Sequence, residues 1–343
     1  MSEASQTPSM LPPPAPPILH RRLWVVVGKG GVGKTTVSVL LAMWAAEHGK
    51  RVLVAEVDGA GRAASLLGVQ PERLGVAKRV RPNLAVMSVE GAAALAEYLA
   101  LILPVRRVLD VVFSSRIYQY FVAAAPGLKE LMTIGKIWYE AERTDPETGD
   151  RVWDLVVMDA PATGHSLQYL GMPKAAREVF QTGLVGRESQ RLVDLLSNPA
   201  RTAVHIVTTA EEMPVNESVE MYHKISTDLA LPLGYLVVNR LHQRRFDTGE
   251  LQRLKANARR LPQADRVVAE AIVDRAFEEE GWSSINREYL QRLLERVQMP
   301  HVELPFVFAE EFGATHLERL RQVLSRQLAA REQNTTHHGF RLG

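Results

Sequence analysis

Residues 28–36 read GKGGVGKTT, and this sequence is the strongest indication of the fold class of the chain. It matches the pattern G-x-x-x-x-G-K-[ST] of a glycine-rich loop that cradles phosphate groups. The apolar run 23–27 before it predicts a buried strand, and residues 36–48 after it predict a helix. A turn of this kind aims backbone N–H groups and the positive end of a helix dipole at one point. A polyphosphate site is therefore expected, and the ordered strand, loop and helix disfavour a turn that binds nothing.

The residue types within the loop suggest separate roles. The Lys34 ammonium would reach the terminal phosphates of a nucleotide, and the Thr35 hydroxyl would hold Mg²⁺. A second lysine, Lys29, stands near the start of the loop. The loop residues expected to contact the nucleotide are Gly30, Gly31, Val32, Gly33, Lys34, Thr35 and Thr36.

Two aspartates follow predicted strands and extend this site. Asp58 comes after the apolar run 51–57, and Asp159 comes after the apolar run 155–158. Ligands of open α/β sheets bind at the carboxyl ends of the strands, so both carboxylates should lie near the loop. There Asp58 would orient the water that attacks the γ-phosphate, and both aspartates would contact Mg²⁺ through water. A helix cap or a turn is the alternative for either aspartate alone, but the pair behind a phosphate loop favours the functional interpretation.

The segment after Asp159 is predicted to be a switch. It reads APATGH over residues 160–165, a loop able to change shape with the γ-phosphate. Gly164 and His165 are its candidate switch residues, with a purely structural histidine as the alternative for His165.

Composition narrows the class of protein. The 343 residues suffice for one large or two ordinary domains, and a net charge of +2 does not demand nucleic acid or membrane as a partner. No run approaches the roughly 18 consecutive apolar residues of a membrane span, so no insertion is expected. The chain has no cysteine, which excludes disulfides, thiolate metal sites and iron–sulfur clusters. With a proline-rich run at 11–17 in place of a secretory signal, a cytoplasmic location is favoured.

Apolar β-branched runs alternate with helical patterns, which is typical of a parallel sheet covered by helices. We therefore expect an α/β fold with a doubly wound, mostly parallel sheet of the phosphate-loop NTPase type and an inserted helical subdomain. Strands are predicted at 23–28, 51–57, 84–89, 153–158, 203–207, 233–238 and 301–304. One nucleotide-binding domain is expected at 21–332, with helical insertions at about 90–142 and 240–298 and with tails at 1–20 and 333–343.

Two stretches leave alternatives open. The run 240–262 holds seven basic residues against two acidic ones, which predicts either a solvated helix face or a docking surface for an acidic partner. The last predicted helix, 314–331, has an apolar face that would pack on the core, with a membrane-surface helix as the alternative.

Several motifs together carry a family resemblance. The double-lysine loop is typical of the deviant Walker ATPases, and residues 159–167 (DAPATGHSL) resemble the switch II sequence D-T-A-P-T-G-H-T-L of one branch. That branch holds the arsenite-pump ATPase and the tail-anchored-protein targeting ATPase. Residues 126–130 resemble its P-G-I-D-E motif, residues 238–239 its V-N, and residues 305–313 its P-L-x-x-x-E-x-x-G. The matches run in order from residue 23 to about 330, so the chain resembles a cysteine-free bacterial member of this anion-transporting branch.

This resemblance implies a Mg²⁺-dependent ATPase that converts ATP and water to ADP and phosphate. It would work as a homodimer, or as a heterodimer with a paralogue, that ATP binding closes and hydrolysis reopens to drive a membrane-protein partner or a hydrophobic client. Lys29 would reach the partner's phosphates in trans, with Asp58 and Lys34 as the other catalytic residues. The residues implied near the adenine are Asn239, which would read the base, and Pro305 and Phe306.

Departures from the family pattern also bear on function. Ser65 stands where the switch I of the targeting ATPase has a second aspartate, so hydrolysis is expected to be slow or differently arranged. Without cysteine, neither zinc at the dimer interface nor activation by metalloids is expected. The insertion at 90–142 would supply a groove for hydrophobic clients, or an ordinary amphipathic helix pair. Two other functions stay open: a positioning or partition ATPase, and a weakly active subunit of a heteromeric ATPase pair.

Overall fold

A mostly parallel sheet organises the molecule. The computed structural model describes residues 18–102, 127–161 and 163–339, with side chains described outside 98–102, 163–165, 184, 248 and 332–339. Its strands are β1 (Leu23–Gly28), β2 (Val52–Val57), β3 (Lys78–Arg81), β4 (Leu84–Val89), β5 (Leu155–Asp159), β6 (Thr202–Thr209), β7 (Leu233–Leu241) and β8 (His301–Pro305). Their spatial order is β3-β4-β2-β5-β1-β6-β7-β8, and only β3 runs antiparallel to its neighbour among these described strands.

Helices cover both faces of the sheet. They are α1 (Lys34–Glu47), α2 (Arg62–Leu66), α3 (Gly91–Ile102), α4 (Leu128–Glu142), α5 (Thr163–Val179), α6 (Gly183–Ser197), α7 (Glu212–His223), α8 (Thr248–Ala258), α9 (Gln263–Arg296) and α10 (Ala314–Gly339). One core joins a face of the sheet to α4, α5, α6, α7 and α9, and a second core joins the other face to α1, α2 and α10. The predicted doubly wound α/β fold is therefore confirmed.

Continuously apolar strands explain why both faces are covered. Strands β1, β2 and β5 are buried at every position, and successive residues of β1 enter opposite cores. Helix α1 is buried at every residue from 37 to 45, because it lies between the sheet and α10. The helix that follows the glycine-rich loop is thereby held firmly in the interior.

The predicted strands are all present, with differences of a few residues at their ends. Strand β3 was not predicted, because it is a four-residue edge strand with three basic side chains and no apolar run. Helix α1 begins at Lys34 rather than at Thr36, since Gly33 turns the backbone directly into the helix. The loop's Lys-Thr pair thus belongs to the first helical turn.

The expected insertions contain α3 and α4 in one case and α8 and α9 in the other, and residues 103–126 lie outside the described part. The structure describes residues 18–20 of the first expected tail and residues 333–339 of the second. Residues 18–20 form a short 3₁₀ turn tied to the core, because the Trp24 indole donates to the Ile18 carbonyl at 3.2 Å. Helix α10 continues to Gly339. Over the described ranges, every helix is too short or too polar to cross a bilayer.

Candidate functional site

The glycine-rich loop joins β1 to α1 at the carboxyl edge of the sheet. Strand β1 lies between β5 and β6. From β1 the chain continues to β2 on one side of this position, and from β6 it continues to β7 on the other side. Open α/β sheets bind ligands where the strand order reverses in this way. Gly31 (φ 88°) and Gly33 (φ 92°) adopt the left-handed conformation that favours glycine. Because no described side chain caps α1, its first N–H groups face the loop and are available to an anion.

Close packing fixes the shape of this loop. A Cβ on Gly33 would overlap the side-chain amide of Asn239, which donates from Nδ2 to the Val32 carbonyl at 2.9 Å. At the other end, a Cβ on Gly28 would overlap the Val207 carbonyl of β6. The backbone of the loop therefore lies closer to β6 and β7 than it could if residues 28 and 33 carried side chains.

The two lysines of the loop have different partners. The Lys34 ammonium donates to the Lys29 carbonyl at 3.0 Å, so it is folded back onto the loop. Burial lowers the pKa of Lys34, and the negative charge of Asp159 opposes that shift. The Lys29 ammonium instead pairs with the Glu217 carboxylate of α7 at 2.8 Å, and both of these side chains are partly exposed.

Asp159 ends β5 and is buried behind the loop. Its carboxylate accepts hydrogen bonds from the Thr35 hydroxyl at 2.6 Å and from the Ser38 hydroxyl at 3.0 Å. Burial raises the pKa of Asp159 to about 6, although both hydrogen bonds act to lower it. Ser38 lies one helical turn beyond the loop pattern, so the pattern did not include it.

These oxygen atoms suit Mg²⁺, which prefers hard oxygen ligands and keeps several of its waters. The Thr35 hydroxyl could bind the ion directly, and Asp159 could bind it through water. Protein sites for Mg²⁺ usually supply only one or two such groups and rely on substrate phosphates for others. The residues behind the loop therefore fit the cofactor that the sequence predicts.

Asp58 follows β2, the neighbour of β5, at the same edge of the sheet. Its φ of 50° is uncommon for a residue other than glycine, and its N–H donates to the Val89 carbonyl at 2.9 Å. Its exposed carboxylate accepts a hydrogen bond from the hydroxyl of Tyr169, a buried residue of α5. Burial and this hydrogen bond raise the pKa of Tyr169, so the phenol keeps its proton and donates it. No sequence motif points to Tyr169.

Glu56 is a buried carboxylate that the sequence motifs also miss. Its oxygens accept from the backbone N–H groups of Arg62 at 3.0 Å and of Ala63 at 3.2 Å, where α2 begins. A Cβ on Gly59 would overlap this carboxylate, so the backbone passes directly over it. Glu56 therefore caps α2 and fixes the segment that carries Asp58.

The residues implied near the adenine lie at the same edge of the sheet. Pro305 ends β8, and the Phe306 N–H donates to the Leu241 carbonyl of β7 at 2.9 Å. The Phe306 ring stacks on His242 with centroids 4.5 Å apart. The Asn239 amide contacts the loop, as described above, and an adenine contact by any of these residues stays a prediction.

The switch residues are described only in part. Gly164 lies in the first turn of α5, and the side chain of His165 is outside the described residues. A switching role for this segment therefore stays a prediction.

Comparisons with known proteins find similarity to ATPases. The sequence profile described as anion-transporting ATPase matches residues 21–190. The chain is 34% identical to ATPase BagA of Mycobacterium tuberculosis over 230 residues, which cover 64% of this chain and 65% of that protein. It is 27% identical to the arsenical pump-driving ATPase of Escherichia coli over 62% of this chain and 38% of that protein. It is 24% identical to ATPase GET3 of Kluyveromyces lactis over 67% of this chain and 75% of that protein. The aligned region thus spans slightly less than two thirds of the mycobacterial relative.

Proposed function

From its similarity to anion-transporting ATPases over residues 21–190, we propose that the chain is a member of that family and a Mg²⁺-dependent ATPase of the arsenite-pump and tail-anchored-targeting type. It would convert ATP and water to ADP and phosphate. The observation that carries this proposal is the pair of hydroxyl hydrogen bonds from Thr35 and Ser38 to Asp159. A glycine-rich loop alone binds phosphate, whereas a carboxylate joined to the loop's threonine is the arrangement that phosphoryl transfer with Mg²⁺ uses.

Nucleotide binding would use the loop as it stands. Its backbone N–H groups and the start of α1 would hold the β- and γ-phosphates. Lys34 would exchange the Lys29 carbonyl for phosphate oxygens, which are stronger partners because they are charged. Mg²⁺ held by Thr35 and, through water, by Asp159 would neutralise charge on the phosphates.

Asp58 would orient the attacking water. One of its carboxylate oxygens, Oδ2, accepts from Tyr169, which leaves Oδ1 available to a water molecule. Tyr169 would not touch the substrate and acts as a positioning residue. Glu56 would support the same arrangement by fixing the segment that begins at Asp58.

Lys29 would act across a dimer interface. Its ion pair with Glu217 is partly exposed, and such pairs contribute about 0–1 kcal/mol, so a partner's phosphates could displace Glu217. ATP binding would close the dimer and hydrolysis would reopen it. This cycle would drive a membrane-protein partner or a hydrophobic client in the cytoplasm, and we expect it to need no zinc.

Ser65 favours a second candidate, a weakly active subunit of a heteromeric pair. Its hydroxyl donates at 3.0 Å to the carbonyl of Gly61, the residue before α2, so it does not replace the missing carboxylate of switch I. The signature would be feeble ATP hydrolysis by the pure chain that rises sharply on mixing with a paralogue. High turnover by the chain alone would exclude this candidate.

The test of the leading proposal is phosphate release from Mg·ATP by the wild type and by Lys34→Ala. We expect the substitution to abolish nucleotide binding or turnover, because it removes the charge that faces the phosphates. Equal turnover by the two proteins would contradict the proposal, as would a wild type that neither binds nor hydrolyses ATP.

A further inference from the structure

Helix α9 carries apolar side chains that no described residue covers. Val268 is 61% exposed and Ile272 is 64% exposed. They are four residues apart, so they are neighbours on one face of the helix. Two large aliphatic side chains in adjacent turns form a patch, whereas single exposed apolar residues are ordinary.

This face continues the stripe with which α9 packs on the body of the protein. Asn286 and Leu293, farther along α9, are buried. At about 100° per residue, positions 268, 272, 286 and 293 fall within about 60° of one another around the helix. The stripe is thus buried toward the C-terminal end of α9, and toward the N-terminal end no described residue buries it.

Helix α8 does not cover the open part. The Lys255 ammonium of α8 lies over the Phe277 ring of α9 at 5.2 Å. Phe277 is nine residues after Val268 and therefore about 180° away around the helix. Because α8 packs on that opposite side, Val268 and Ile272 face away from it.

We propose that a second copy of this chain covers this face, with the two α9 helices packed antiparallel about position 270. Val268 and Ile272 lie two residues on either side of that position, and Asp265 and Arg275 lie five residues on either side. About a two-fold axis there, Val268 meets the partner's Ile272 and Asp265 meets the partner's Arg275. Arg275 would give up its exposed ion pair with Glu278 of the same helix (2.6 Å), a kind of pair that contributes about 0–1 kcal/mol. Each contact occurs twice, as a self-complementary interface requires.

The other residues of the stripe support close contact between the helices. Ala264 and Ala271 lie within about 60° of Val268, and their small side chains would let the two helices approach. Glu270 lies about 160° away from Val268 and therefore meets no copy of itself. An anionic membrane is a poorer occupant, because Asp265 lies on the same face as Arg275.

This contact rests on one part of the proposed function, namely that the protein works as a dimer of two copies of the same chain. The contact includes no group of the nucleotide site. It is therefore tested on the full chain without nucleotide, so failure of ATP hydrolysis and failure of this contact are distinguishable.

The test is sedimentation equilibrium of the full chain and of charge-reversed variants. Asp265→Arg and Arg275→Asp each place like charges opposite one another twice, so each should weaken the dimer at least about tenfold. The double variant D265R/R275D restores opposite charges in reverse order. Its dimer dissociation constant should return to within about threefold of the wild-type value, because each like-charge pair is removed.

Asp274→Arg is the matched control. It makes the same charge change at an exposed position of α9, about 120° from Val268, and should leave the dimer unchanged. Circular dichroism reports whether each variant keeps its helices. A monomeric wild type, singles as tight as the wild type, or a double variant as weak as the singles would each overturn the proposal. So would a monomer that binds phosphatidylserine vesicles and loses that binding in Val268→Glu.

Discussion

Tyr169 joins two parts of the site that lie 111 residues apart in the chain. Its hydroxyl holds the Asp58 carboxylate, and Tyr169 itself belongs to α5, which begins in the segment that resembles switch II. A shift of α5 would therefore change the orientation of Asp58. In this way the segment proposed to respond to the γ-phosphate would control the residue proposed to orient the water.

Tyr169→Phe tests this coupling. The ring stays in the core and only the hydroxyl is lost. A hydrogen bond to a charged group contributes about 1.5–3 kcal/mol, so turnover should fall about tenfold or more if Asp58 loses its orientation. The KM for ATP should stay within about twofold, because the hydroxyl makes no proposed contact with ATP.

The matched control is Tyr139→Phe, since Tyr139 is 46% exposed on α4 and is not among the proposed site residues. It should leave turnover unchanged. Wild-type turnover in Tyr169→Phe would show that the hydrogen bond to Asp58 has no role in hydrolysis.

His205 of β6 makes stability depend on pH. Its Nδ1 accepts from the Tyr235 N–H at 3.1 Å in the interior, and burial lowers the pKa of His205 to about 3, with the charge of Arg21 acting in the same direction. The usual histidine pKa is about 6.5, so between about pH 6.5 and 3 the unfolded chain binds a proton that the folded chain does not. The free energy of unfolding should therefore fall as the pH falls through this window.

Urea unfolding at pH 7.5, 5.5 and 4.5 measures this dependence. His205→Asn is the comparison, since asparagine can accept the same hydrogen bond and does not titrate. One pKa unit corresponds to about 1.4 kcal/mol, so the loss of stability at low pH should be visibly smaller in the variant. Parallel losses in the two proteins would refute a neutral, buried His205.

At the scale of elements, the loop's contact with β7 sets it apart from a generic glycine turn. Gly31 and Gly33 share a left-handed backbone, which costs another residue about 1–2 kcal/mol. An added Cβ meets nothing within 4 Å at Gly31 but overlaps Asn239 at Gly33. Gly33→Ala should therefore lower the free energy of unfolding clearly more than Gly31→Ala.

Chemical unfolding without nucleotide measures both losses. The double variant with Gly33→Ala and Asn239→Ala should recover part of the difference, because it removes the overlap. Equal losses in the two single variants would mean that Asn239 can move away from an alanine at position 33 without lowering the free energy of unfolding.

The sequence predicts those parts of the fold and site that local sequence patterns encode. The loop, the flanking β1 and α1, and the aspartates after β2 and β5 are local patterns, so they are readable from sequence. Glu56, Ser38 and Tyr169 act through contacts that only the folded chain creates, because their partners are set by sheet order and helix packing. Edge strand β3 was missed because its stability comes from pairing with β4 and not from its own composition.

At the scale of the whole molecule, two surfaces bear on assembly. Lys29 is paired with Glu217 inside one protomer, so a trans role would require it to exchange partners. The open face of α9 offers a contact that needs no nucleotide. In the dimer that we propose, the protomers would be held together at α9 and would close at the loop, and ATP would change the second contact and not the first.

The proposed catalytic role of Asp58 is tested by Asp58→Asn, measured for both ATP binding and phosphate release with Mg²⁺. We predict a dissociation constant for ATP within about threefold of the wild type, because Asp58 binds no phosphate in this scheme. Turnover should fall about a hundredfold or more, which corresponds to about 2.7 kcal/mol in the barrier. Turnover within twofold of the wild type would contradict the claim that Asp58, held by Tyr169, orients the attacking water.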